Sequence, residues 1–157
     1  MAAATTVPGQ LLSAIKGRKF GNVARMFASG VDFQAWTPTG HWVATDPQTV
    51  SKIIEVWYSP GANPTVIWSN EGSGAKGAAT LEIEMEWKVP PDDQSRTLRQ
   101  FYLLTVKGDK IASARVYCAG LHTEFPEVDL EKQRRAKGIG GVKPAPISAK
   151  AVAAKAS

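Results

Sequence analysis

The sequence predicts an α+β domain in which three helices, all in the first sixty residues, pack on one face of a curved antiparallel sheet built from the rest. Two observations predict it. Apolar residues recur at helical spacing up to Trp57, whereas β-rich runs separated by turn residues fill Asn63 to about Thr123. Within that second part ATLEIEMEWKV alternates strictly, with Leu81, Ile83, Met85, Trp87 and Val89 on one side and Glu82, Glu84, Glu86 and Lys88 on the other. Helices followed by consecutive strands, with no second helical block, give segregated layers and not alternating βαβ units.

Taken in order, Pro8 suits a helix's first turn, and Leu11, Leu12 and Ile15 repeat at helical spacing until Gly17. In FGNVARMFA the residues Phe20, Val23, Met26 and Phe27 predict a second, short helix that stops at Gly30. VDFQAW then alternates, with Val31, Phe33 and Ala35 on one side, which makes it a strand ending in the TPTG turn. The third helix starts at a capping Thr45 or Asp46 with Pro47 behind it, carries Val50, Ile53, Ile54 and Trp57, and ends at Pro60 and Gly61. Four strands follow, in NPTVIWSNEG, ATLEIEMEWKV, TLRQFYLLTV and KIASARVYCAG, the last two joined by KGD. No internal repeat is present.

The chain has 157 residues, 43 % of them apolar, enough for one core in a domain spanning residues 1–125. No apolar run reaches the ~18 residues of a membrane span, and the N-terminus lacks the pattern of a secretory signal. A cytoplasmic protein without membrane association is expected. A single cysteine, Cys118, allows no internal disulfide, and no Cys/His set has zinc-ligand spacing, so no metal is expected. The formal charge of +5 is unevenly spread. From Glu131 onward there are seven Lys and Arg against one Glu, leaving twelve positive and thirteen negative groups before it. The basic excess belongs to an Ala/Lys/Gly/Pro-rich extension over residues 126–157 with little apolar bulk. A solvated or subunit-draping tail is expected there, and nucleic acid is not an expected partner.

The order of elements resembles the nuclear transport factor 2-like superfamily, and within it the SnoaL-like and ketosteroid-isomerase-like branch. The resemblance runs from about Gln10 to Gly120 and is carried by VARMFASGVDF, TPTG, the TDPQTV helix start and KGDKIASARVY. It implies a cone-shaped α+β barrel of cystatin-like type with an apolar pocket open at one end, a homodimer, and cofactor-independent chemistry such as isomerisation, cyclisation or dehydration. Isomerases of this branch place an Asp before the Pro of the turn as general base, and here that position is Thr37. Their two hydrogen-bond donors fall at about Leu11 and Tyr102, of which only Tyr102 has a donor. The acid that cyclases carry on the final strand falls near Val116.

The same resemblance sets which strand faces look inward. Ile83, Met85 and Trp87, then Gln100 and Tyr102, then Val116 and Cys118 would line the pocket, with Trp36 at its rim. The alternating glutamates then face solvent, where cross-strand pairing with Arg99 and Arg115 is their simplest use. Tyr102 could orient a carbonyl or hydroxyl in an apolar pocket, or be a core tyrosine bonded to a backbone carbonyl. His41 carries the side chain most often used as a general base, and is equally at home as an exposed turn residue. Cys118 has no basic partner nearby in sequence and reads as a buried thiol. The expectation is an enzyme acting on a small, apolar, cyclic or polyketide-like molecule, with Tyr102, His41 and Thr37 as its reacting residues. The alternative is a non-catalytic ligand-binding or dimerisation module of the same fold.

Overall fold

A computed structural model of the chain describes residues 6–59, 64–89 and 94–122, with the side chains of Trp87, Val89, Gln94 and Leu121 outside that description. The expected basic extension lies beyond it. Helix α1 (Val7–Lys16) is capped by Thr6, whose hydroxyl accepts the Gly9 amide at 3.0 Å, with Pro8 in the first turn. Helix α2 (Phe20–Val23) is only four residues long and passes into a 3₁₀ turn (Ala24–Met26). The expected longer helix stops early because Phe27 is already strand, paired with Ile111 of the last described strand. Helix α3 (Pro47–Tyr58) is capped by Asp46, which accepts the Thr49 amide at 2.9 Å and is held below the ordinary carboxyl range first by the Thr49 hydroxyl and then by that amide.

Among the described residues the sheet has six strands, one more than expected. These are β1 (Phe27–Thr37), β2 (Gly40–Ala44), β3 (Thr65–Ser73), β4 (Ala78–Val89), β5 (Gln94–Lys107) and β6 (Lys110–His122). The unexpected β2 is made of residues that read as the run-in to α3; it folds back on β1 because Pro38 and Thr39 form a two-residue turn between the paired Thr37 and Gly40. Strand order is β2-β1-β6-β5-β4-β3, antiparallel throughout except for the β1–β6 pair, which is parallel.

Period-2 alternation divides the sheet into two faces. The inner face carries Val31, Phe33, Ala35, Leu81, Ile83, Met85, Leu98, Leu104, Ala114 and Val116, all buried against Leu11, Ile15, Val50 and Ile54 of the helices. Each fully buried side chain of this kind contributes about 1.5–3 kcal/mol relative to its exposed state. Polar ties align the helices with one another: Ser51 Oγ donates to the Phe20 carbonyl at 2.6 Å. The Arg18 guanidinium reaches the carbonyls of Tyr58 and Ser59 at the end of α3, at 3.4 and 3.5 Å. No helix among the described residues is long and apolar enough to cross a membrane.

Candidate functional site

The end of α3 delivers Tyr58 to the inner face of the sheet, opposite two polar residues that β5 places there two positions apart. Tyr58, Gln100 and Tyr102 are at most 1 % exposed. Their polar atoms form a triangle. Tyr102 Oη donates to Gln100 Oε1 at 2.7 Å, Tyr58 Oη donates to the same oxygen, and the two phenol oxygens lie 2.9 Å apart. Burial pushes the pKa of both phenols up, with neighbouring Tyr102 and Cys118 adding to the rise at Tyr58. Both hydroxyls therefore stay protonated over the neutral range, and each keeps a proton to donate.

An apolar wall surrounds the triangle. Tyr102 sits on a rung running through Leu81, Val116, Ala35 and Trp42, and Gln100 on the next rung between Ile83 and Cys118. Ile83, Met85 and Val116 are buried, and Cys118 is half-buried. Beside them Phe33 and Trp42 pack on Trp57 at ring separations of 6.1 Å each, and the buried Trp57 indole N–H has no hydrogen-bond acceptor among the described residues. In such surroundings a polar contact made to a ligand is worth more than in water.

The sequence matches no family model and no curated protein. The structure does have solved counterparts. A Catenulispora acidiphila protein with a ketosteroid isomerase-like fold, in complex with trimethylamine, superposes with a TM-score of 0.58 at 15 % identity, over 73 % of this chain and 86 % of that one. The chain has the ketosteroid-isomerase-like fold. An LEH-like epoxide hydrolase from M. tuberculosis superposes with a TM-score of 0.52 at 12 % identity, over 71 % of this chain and 79 % of that one. An NTF2-like protein of unknown function from Cytophaga hutchinsonii gives 0.51 at 12 % identity, over 74 % and 99 %.

Within the ketosteroid-isomerase-like fold the residues singled out from the sequence separate into two groups. Ile83, Met85, Gln100, Tyr102, Val116 and Cys118 come together on the inner face. Trp87 is part of β4, but its side chain is outside the described residues. Trp36 and His41 are not brought to that face. Alternation from Ala35 turns Trp36 outward, where it stacks between His41 and Tyr117 at 5.0 and 5.1 Å. Thr37 returns to the inward parity, but its hydroxyl holds the hairpin: it accepts the Trp42 indole N–H at 3.0 Å and lies 3.0 Å from the Gly40 carbonyl. It has no free role as a base. The expected glutamate pairing is half right, since Arg99 pairs with Glu84 while Arg115 pairs with Asp32 and not with a glutamate.

Tyr58 was not singled out from the sequence. The signal was present: Val50 and Ile54 recur every four residues along the buried face of α3, and the next position in that series is Tyr58. Among the described residues the inner face carries no carboxylate and no imidazole.

Proposed function

We propose that the inner face binds a small, largely apolar, cyclic molecule through one oxygen atom, and that Tyr58 and Tyr102 polarise that oxygen in a cofactor-independent isomerisation, cyclisation or dehydration. The buried Tyr58–Gln100–Tyr102 triangle carries this reading. Gln100 Oε1 occupies the acceptor position between the two phenols. A ligand carbonyl gaining negative charge is a stronger acceptor than an amide oxygen, so it can displace Gln100 and take both hydrogen bonds. The gain is confined to the charged species, which is the condition for catalysis and not merely for binding. Gln100 is then a positioning residue that keeps two donors aimed at one point. The Catenulispora acidiphila protein, which holds trimethylamine in the same fold, supports small-molecule binding as a use of this architecture.

A second reading, a ligand-binding module without catalysis, is favoured by the absence of a carboxylate or imidazole on the described inner face. The two readings part on product formation. A panel of cyclic ketones, lactones and epoxides is incubated with the protein, with binding read by calorimetry and product by chromatographic separation and NMR, which also resolve isomers of equal mass. Under the first reading Tyr58→Phe and Tyr102→Phe each lower kcat/KM by about 10²-fold, while His41→Ala leaves it unchanged. Binding without product at every pH selects the module, and unaltered turnover in both tyrosine variants removes the assignment.

The homodimer belongs to the same proposal, with the outer face as its interface. Trp36, Phe101, Leu103 and Tyr117 are 39, 38, 44 and 49 % exposed there and adjoin across three paired strands. Monomers seldom leave a contiguous apolar patch of this kind uncovered.

A further inference from the structure

Charge in the folded part is polarised although its total is small. Residues 1–31 contain Lys16, Arg18, Lys19 and Arg25 and no acid. Two of these cations face a groove of about 820 Å³ between α1, α2 with its 3₁₀ turn, and the β5–β6 hairpin. Lys19, Arg25 and Lys110 line it together with Ser13 and Asn22, and Ala14 and Met26 supply apolar surface.

The cations are not equivalent. Lys110 is pinned: its ammonium donates to the Arg25 carbonyl and lies 3.8 Å from the carboxylate of Asp109, the one acid lining the groove among the described residues. Lys19 and Arg25 make no ion pair among the described residues. Two unneutralised cations therefore share one concave surface with a hydroxyl and an amide that can also donate.

We propose that this groove is a binding site for a small organic phosphate, a phosphomonoester or diphosphate, separate from the inner-face triangle. A dianionic phosphate matches the two unpaired cations in charge, and Arg25 offers the planar fork that grips two phosphate oxygens at once. The volume exceeds what an inorganic ion fills and falls within the range of ligand pockets, and the surface of Ala14 and Met26 suits an organic remainder. A monocarboxylate would leave one cation uncompensated, and a dicarboxylate lacks the single tetrahedral head that both can grip.

The test is calorimetric titration of the full chain with adenosine diphosphate and with pyrophosphate at about 50 mM salt, where screening is modest. Saturable binding is expected, stronger for the nucleotide, and Lys19→Ala and Arg25→Ala should each weaken it by about fivefold or more. The double variant Lys16→Ala/Lys107→Ala, which removes two exposed cations outside the groove, should stay within about twofold of the parent. Retained circular dichroism and Tm show that the groove variants are folded. Absence of binding overturns the proposal, as does equal loss in the control variant. Binding that requires a long single-stranded RNA and is not seen with either small phosphate overturns it too, by making the surface a polyanion track.

Discussion

Two hydroxyl protons serve three short contacts in the Tyr58–Gln100–Tyr102 triangle, and this count makes its energetics strongly non-additive. In Tyr102→Phe one proton is lost and the other still satisfies Gln100, so the expected cost is one net hydrogen bond, about 1 kcal/mol. Tyr58→Phe should match it. Gln100→Met, close to Gln in length, removes the shared acceptor. One phenol can then donate to the other across their 2.9 Å contact, but the second proton has no acceptor. An orphaned buried donor costs about 1–3 kcal/mol on top of the lost bond, so the expected total is about 2–4 kcal/mol. The triple variant Tyr58→Phe/Tyr102→Phe/Gln100→Met has no polar atom left to orphan and should fall within about 1 kcal/mol of the parent. It should thus be more stable than Gln100→Met alone. Urea denaturation with an unchanged m-value reads these differences directly as shifts in midpoint. A triple variant destabilised by as much as the sum of the three single ones would refute the shared-acceptor reasoning.

The same burial gives an alkaline signature. Both phenols have raised pKa values in the folded state, so above about pH 10 the unfolded chain releases protons that the folded chain retains, and stability falls as pH rises. Between pH 9 and 11 the parent should lose about 2–3 kcal/mol more than Tyr58→Phe/Tyr102→Phe, read as the difference in urea midpoint; identical pH profiles would remove the claim. For the outer face, Tyr117→Glu places a charge in the middle of the apolar strip and should turn a dimer into a monomer in sedimentation at roughly 100 µM. A parent that sediments as a monomer at that concentration would exclude the interface.

Much of this was legible in the residues. The β4 alternation correctly put Ile83 and Met85 inward, and Pro8, Pro47 and Gly17 marked helix ends within a residue or two. The site was legible only in part, because it depends on pairings between distant segments. Tyr102 and Gln100 could be placed on one face of one strand, but that Tyr58 meets them follows from how the end of α3 lies on the sheet. The hairpin shows a different failure. Val31, Phe33 and Ala35 already share one side, and the same parity sends Trp36 outward, yet a turn dense in Trp and His drew attention as a pocket rim. Trp36 and His41 instead form an outer rung that continues through Tyr117 to Phe101, and of the turn's rings it is Trp42 that lies on the inner side, against Trp57. His41 was a chemically sensible base in the wrong half-space.

The parallel pairing of β1 with β6 has a consequence for how the chain is made. Asp32 lies beside Ser113, and Phe33 beside Ala114, so β1 waits for a neighbour about eighty residues later in the sequence. During synthesis the three helices and the β1–β2 hairpin emerge first, with the apolar side of β1 exposed and no neighbour but β2. The β3–β4–β5 meander can assemble from local hairpins, but only the last described strand, ending at His122, joins the two parts into one sheet. A nascent chain halted before that strand leaves the ribosome holds two half-built pieces, and is a natural client for a chaperone.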